Sequence, residues 1–263
     1  MQLKRKMKGI ILEGLFIVLV LVAGTLVDGR AQVVEVTAPT YASLKAPTRK
    51  VAEPLKGEKI CYLTFDDGPS SNTEAILDIL KEYDAKATFF VIGNELTEET
   101  KEILTRMKEE GHSIGLHANN HSYQQFYAST ESLLTDYEQL FTTLKNEYGI
   151  ETALFRFPGG SACTYLRPNR QTCLEELRQR GFSCFDWQIS GEDAVGSPTV
   201  GSILKSIFPK VYDYDTPIIL LHDGRGRAKT VEALPEILKE LQEKGYRCSA
   251  LENAPEYTYR VKE

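Results

Sequence analysis

Beyond residue 59 the chain alternates between short apolar runs and amphipathic stretches. Residues 60–65 (Ile-Cys-Tyr-Leu-Thr-Phe) and 87–92 (Ala-Thr-Phe-Phe-Val-Ile) are β-prone runs of strand length. Residues 72–83 and 98–110 place apolar side chains at helical spacing, in the second case at Ile103, Leu104 and Met107. The same patterning predicts strands at 113–116, 153–156, 183–187, 217–221 and 247–251, and helices at 131–148, 171–180, 200–208 and 231–244. Strand-helix units repeated at this length imply an α/β fold with a parallel sheet and helices outside it, either an open doubly wound sheet or a barrel. In both arrangements functional groups collect at the C-terminal ends of the strands.

The first residues follow a different pattern. Lys4, Arg5, Lys6 and Lys8 precede an apolar run at 9–27 broken only by Glu13, and Arg30 alone follows it closely. This charge bias predicts that the basic end stays in the cytoplasm while the remainder is exported. At about 1.5 Å per residue the run reaches about 28 Å, close to one hydrocarbon core. Residues 1–28 are therefore expected to be a single-pass membrane anchor or a cleaved signal peptide, with the remainder outside the cell membrane or secreted. Residues 29–58 hold Pro39, Pro47 and Pro54 without apolar periodicity and read as a disordered stalk, leaving residues 59–263 as the folded domain.

Composition narrows the function classes. With 263 residues, 42% of them hydrophobic, the chain can bury a sizeable core. The net charge of −6, from 31 basic and 37 acidic side chains mixed along the sequence, supplies no basic stripe, so nucleic acid is not an expected partner. Of the five cysteines, Cys61, Cys184 and Cys248 fall in predicted strands and are expected as buried thiols. Cys163 and Cys173 flank a short segment and are the candidate pair for a disulfide in an exported protein. The chain is expected to work as a monomer.

Chemistry-bearing residues concentrate at predicted strand ends. Asp66 and Asp67 stand side by side before a Gly-Pro turn; His117 and His121 are four apart beyond another strand, where one helical turn would put both rings on one side. Taken singly, the first motif reads as an Asx-capped turn and the second as a surface turn. Together they offer two imidazoles and a carboxylate, a common three-ligand metal set with open positions, and leave a spare carboxylate as general base. Arg156-Phe-Pro-Gly-Gly and Leu220-Leu-His222 end two further strands. His112 precedes its strand and reads as structural.

In this order Thr64 to Pro69, His117 with His121, Arg156-x-Pro158-x-Gly160 and Leu220-x-His222 resemble the signature motifs of the polysaccharide deacetylases, the NodB-type domain of carbohydrate esterase family 4. The resemblance spans residues 59 to 252. It implies a distorted, incomplete (β/α)7 barrel and a metal-dependent hydrolase that removes acetyl groups from an N-acetylated polysaccharide. It also implies roles: Asp66 as catalytic base; Asp67, His117 and His121 as ligands of a divalent metal, Zn2+ first, with Co2+ or another ion as alternatives. Arg156 would hold Asp66, His222 would be the general acid with Asp193 as its partner, the Gly159 backbone N–H would face the oxyanion, and Leu220 would adjoin the substrate. Peptidoglycan leads the expected substrates, with chitin-type polymers open. An O-acetyl esterase acting on xylan, or a non-catalytic sugar-binding protein on the same fold, are the alternatives. Three positions depart from the family pattern: Ala118 where Ser or Thr is usual, Gly159 where Tyr is frequent, and Ala194 where Trp is frequent. These departures imply retained catalysis and a differently walled groove. Trp187, the only tryptophan, is expected in the core.

Overall fold

The computed structural model describes residues 40–259. The expected anchor or signal peptide at 1–28 lies outside the described residues, as do residues 29–39 of the expected stalk. Among the described residues, 43–259 form one compact unit, and no helix is long and apolar enough to cross a membrane.

Among the described residues there are eight strands, β1 (Ile60–Asp66), β2 (Ala87–Ile92), β3 (Ser113–Ala118), β4 (Leu154–Phe155), β5 (Ser183–Cys184), β6 (Ile189–Ser190), β7 (Ile218–His222) and β8 (Arg247–Cys248), with helices between all of them except β5 and β6. The helices are α1 (Ser71–Glu82), α2 (Lys101–Glu109), α3 (Tyr123–Phe126), α4 (Thr130–Tyr148), α5 (Arg170–Gln179), α6 (Val200–Val211) and α7 (Ala228–Glu243). Seven strands run in the order β5-β4-β3-β2-β1-β7-β6, while β8 pairs only with the first two residues of β1. All strand pairs are parallel. Strands β5 and β6 end this path at opposite edges, yet only residues 185–188 separate them, so the edges lie at most about 18 Å apart. The sheet therefore curls back on itself without closing: an incomplete (β/α)7 barrel with a short eighth strand at its base.

Local signals agree with this arrangement. Helix α4 buries Leu133, Leu134, Tyr137, Leu140, Phe141 and Leu144 along one face, the i, i+3, i+4, i+7 stripe of an amphipathic helix. Ser129 caps its N-terminus by accepting the Ser132 N–H at 3.0 Å, and Gly149 ends it in the left-handed region. Ile60, Tyr62, Phe90, Leu154, Phe185 and Ile218 fill the barrel interior, with Trp187 and Tyr257 packed partly buried against them.

Three expectations are corrected. The stalk does not extend to residue 58, because residues 43–52 are strapped across the base of the barrel. Leu44 is buried, and the Arg49 guanidinium donates to the Leu251, Glu252 and Ala254 carbonyls and to Ser183 Oγ. The strand expected at 183–187 stops at Cys184, and a separate strand, β6, follows. In the gap, Phe185 bridges to Tyr257, and the Asp186 N–H donates to the Tyr257 carbonyl at 2.8 Å. Residues 255–259, which carry no periodic signal, thus cover the open edge. Among the described residues all five cysteines are free thiols, so the expected Cys163–Cys173 bridge is absent; the Cys173 thiol lies 3.6 Å from Thr130 Oγ1 instead.

Candidate active site

The candidate groups meet at the C-terminal rim of the barrel. Register sets the first row: Asp66 ends β1 opposite Phe90 of β2 and His222 of β7. Thr64 and Leu220, two residues earlier on the paired strands, share the inward face with Asp66 and His222. Adjacent strand residues ordinarily diverge, but Asp67 adopts φ +77°, and this left-handed turn brings its carboxylate toward the same centre as that of Asp66. The turn is pinned from both sides, by the Ile92 N–H donating to Gly68 O and the Asp223 N–H donating to Asp66 O. Gly68 is required by space: a Cβ there would stand 2.1 Å from Asp223 Oδ2. Asp223 is itself fixed, accepting from Thr73 Oγ1 at 2.5 Å.

His117 arrives through a register shift between β2 and β3, an irregularity that re-aims a side chain at a strand end. Its Nδ1 donates to the Arg156 carbonyl at 3.0 Å, which fixes the ring with Nε2 turned toward the centre; in the neutral ring Nε2 is the nitrogen with the lone pair. His121 does not reach the site by the helical turn expected from its spacing. The intervening residues form a bend whose Asn119 and Asn120 N–H groups donate to the Asp136 carboxylate, and the two imidazoles stack at 5.2 Å.

Asp67 Oδ1 lies 3.4 Å from both His117 Nε2 and His121 Nε2. Three donors on a tetrahedral ion with bonds of about 2.1 Å would stand about 3.4 Å apart, so this donor set fits a divalent cation. Burial pushes the Asp67 carboxyl up, but its hydrogen bond with His117 and the charges of His117, His121 and His222 outweigh this and hold it well below the usual carboxylate range. Burial, reinforced by His117, lowers His121.

Arg156 is fully buried just beyond β4. Its Nη1 donates to Asp66 Oδ1 and Thr64 Oγ1, each at 2.8 Å, its Nε to the Phe185 carbonyl at 2.7 Å and its Nη2 to the Asp186 carbonyl at 3.3 Å. The guanidinium also lies 4.3 Å over the Phe90 ring. A buried ion pair this fully hydrogen-bonded is a positioning device, and losing either partner would strand a charge. Opposite it, His222 Nδ1 donates to Asp193 Oδ1 at 2.8 Å, while Asp193 Oδ2 accepts the His222 N–H and Thr230 Oγ1, each at 2.7 Å. Burial disfavours a charged His222, but the bond to Asp193 and its charge more than offset this and raise the imidazole above its ordinary value. Nε2 of His222 therefore offers an acidic proton toward the site that Asp66 and Asp67 share.

The Gly159 segment lies beside these groups, with Tyr127 Oη donating to the Pro158 carbonyl at 2.7 Å. Leu220 is buried in β7, and its carbonyl accepts the Gly191 N–H at 2.9 Å. His112 stands at the opposite end of the sheet, where its Nδ1 accepts the Ala87 N–H at 3.1 Å, and burial lowers it to about 4. Sequence reasoning placed Thr64 in the first motif without giving it a role, and missed Thr230 and Asp186. Asp186 is buried and accepts from Ser161 N, Ser161 Oγ and Tyr259 N, tying the Gly159 loop to the covering segment. Inward alternation on β1 marks Thr64, but nothing in the local sequence marks the other two.

Residues 54–183 match the family model for polysaccharide deacetylases. A putative polysaccharide deacetylase of Bacillus subtilis, YheN, is 35% identical over 201 residues, covering 75% of this chain and 68% of that protein. The catalytic domain of a peptidoglycan N-acetylglucosamine deacetylase from Eubacterium rectale superposes with a TM-score of 0.74 at 30% identity, covering 82% of this chain and 98% of that one. A family 4 acetyl xylan esterase from Clostridium thermocellum, in complex with a cobalt ion, gives 0.62 at 29% identity, covering 73% and 88%. The topology, the aligned relatives and the four motifs at one rim lead to the same answer, and the chain belongs to the polysaccharide deacetylase family, the NodB-type domains of carbohydrate esterase family 4.

Proposed function

We propose that this protein is a metal-dependent hydrolase that removes N-acetyl groups from amino sugars of peptidoglycan. The observation that carries the reading is a pair of groups facing one donor triad, a carboxylate clamped by Arg156 and an imidazole clamped by Asp193. Amide hydrolysis needs both, a base for the attacking water and an acid for the leaving amine. Asp67, His117 and His121 would hold the cation, zinc by ligand chemistry, with cobalt a workable substitute. When bound, a divalent cation supplies Lewis-acid polarisation of the acetyl carbonyl and a water of lowered pKa.

The chain's own residues do the rest. Asp66 accepts the proton of the attacking water while Arg156 keeps its second oxygen engaged and its orientation fixed. The Gly159 N–H faces the developing oxyanion, and Leu220 bounds the space beside it. His222 Nε2 donates its proton to the amine nitrogen, the C–N bond breaks, and acetate and a free amino sugar leave. The intact acid weighs against a pure binding role, because sugar binding needs no proton donor. The basic residues before the apolar run at 9–27 support export, with the domain at the cell surface where peptidoglycan lies.

The test is acetate release by the full chain from peptidoglycan, chitin oligomers and acetylated xylan, with chelator and with zinc restored, beside Asp66→Asn. Metal-dependent release from peptidoglycan that the substitution abolishes is expected. Release from xylan alone would make the protein an O-acetyl esterase and refute the amidase reading.

A further inference from the structure

Tyr123 opens α3 two residues beyond His121, and its ring meets the His121 imidazole edge-on at 5.5 Å. Its hydroxyl lies over Gly159: a Cβ at that glycine would come within 2.9 Å of Tyr123 Oη. Gly159 has φ +72°, a conformation that disfavours any side chain, so the volume beside its backbone belongs to the phenol. Tyr127 spends its hydroxyl on the Pro158 carbonyl, whereas the Tyr123 hydroxyl has no hydrogen-bond partner among the described residues. Outward from Tyr123, Tyr165 packs against it at 5.6 Å and stacks on Tyr127 at 6.5 Å, while remaining 53% exposed.

The two rings therefore run from the donor triad past Gly159 to solvent. Each has an apolar face, and Tyr123 adds a free donor at the inner end. A sugar ring matches this pairing, with C–H faces that pack on aromatic rings and oxygens that accept a phenolic hydrogen bond.

We propose that Tyr123 and Tyr165 form the wall of the sugar subsite. Tyr123 donates its hydroxyl hydrogen to an oxygen of the sugar that carries the acetyl group, and Tyr165 packs its face against the neighbouring sugar. The inference rests on the deacetylase reading and adds which side chains recognise the polymer. The contact is made with the bound ground state, so it governs affinity rather than the chemical step.

The experiment uses the full chain carrying Asp66→Asn, loaded with zinc, and titrates it calorimetrically with the tetramer of N-acetylglucosamine. Tyr123→Phe keeps the ring and removes the donor, so the dissociation constant should rise about fivefold, the factor set by one net hydrogen bond. Tyr165→Ala, a change at an exposed turn with little bearing on folding, should raise it about fivefold or more through lost ring contact. Zinc affinity and the unfolding midpoint, measured on the same samples, separate a subsite effect from a structural one. With Asp66 restored, Tyr123→Phe should raise KM with kcat changed less than twofold. Tetramer binding within twofold of the parent in both variants would overturn the proposal, as would a loss confined to kcat. If the parent neither binds the tetramer nor releases acetate from it, the deacetylase reading itself has failed, which is a different result.

Discussion

Replacing Asp193 by Asn exchanges one oxygen for an NH2 group and leaves the volume unchanged, yet three donors converge on that carboxylate: the His222 N–H, His222 Nδ1 and Thr230 Oγ1. The two that share Oδ2 can still be served by the amide oxygen. The amide NH2 then faces His222 Nδ1, which must become an acceptor, so the ring is driven to the neutral Nε2–H tautomer. Two effects follow. The imidazolium loses a charge-assisted bond of about 1.5–3 kcal/mol, which lowers its pKa by about 1 to 2 units at 1.36 kcal/mol per unit. The leaving amine loses its acid, a contribution of about 10²–10⁴ in rate. Because the native partner raises the His222 pKa, activity that needs the imidazolium is full at low pH and declines as pH rises through that value. Asp193→Asn should shift this alkaline limb to lower pH and reduce kcat/KM on an N-acetylglucosamine oligomer by about 10² or more. With 4-nitrophenyl acetate, whose leaving group needs no proton, the loss should be at least tenfold smaller by the same argument. The pH profiles of kcat/KM on both substrates, taken with an unfolding curve for each protein, give the comparison. Equal losses on amide and ester, with an unmoved alkaline limb, would refute the assignment of His222 as the acid.

Two further predictions concern the supports of the site and of the barrel. Gly68→Ala forces a methyl into the space of the Asp223 carboxyl and should cost about 1–3 kcal/mol; a denaturant midpoint within error of the parent would contradict the close approach. Arg49→Ala removes four donated hydrogen bonds at the base and should lower stability by about 1–3 kcal/mol while leaving kcat unchanged, since the strap lies at the end of the sheet opposite the acid and base. A fall in kcat with no change in the unfolding midpoint would contradict that placement.

The central elements were legible because periodicity and burial coincide in them. In β1, β2 and α4 every inward position is apolar or chemically marked, and their predicted bounds agree with the structure to within about two residues. The four motifs were legible as chemistry because each sits directly after such a strand. What escaped was set by tertiary contact. Residues 183–187 have strand composition throughout, but the chain leaves β5 after Cys184 because Tyr257, more than seventy residues later, takes the pairing at Phe185. Residues 43–52 lack periodicity because they lie as a strap on a formed surface, held by one arginine and one buried leucine. The Tyr123 hydroxyl could not be foreseen from its own neighbourhood; its meaning comes from a glycine in another loop.

The place of β1 between β2 and β7 bears on how the protein comes to be active. The base and the acid sit on strands that pair only after most of the chain has been made; the bond from Thr64 Oγ1 to the Ile219 carbonyl alone joins residues 155 apart. Closing such a loop must precede any reward from the contact, which makes pairing of this kind slow. No fragment ending before β7 can bring Asp66 and His222 together, so a partly assembled chain holds the base without its acid. Catalytic competence and completion of the sheet should therefore arise as one late event.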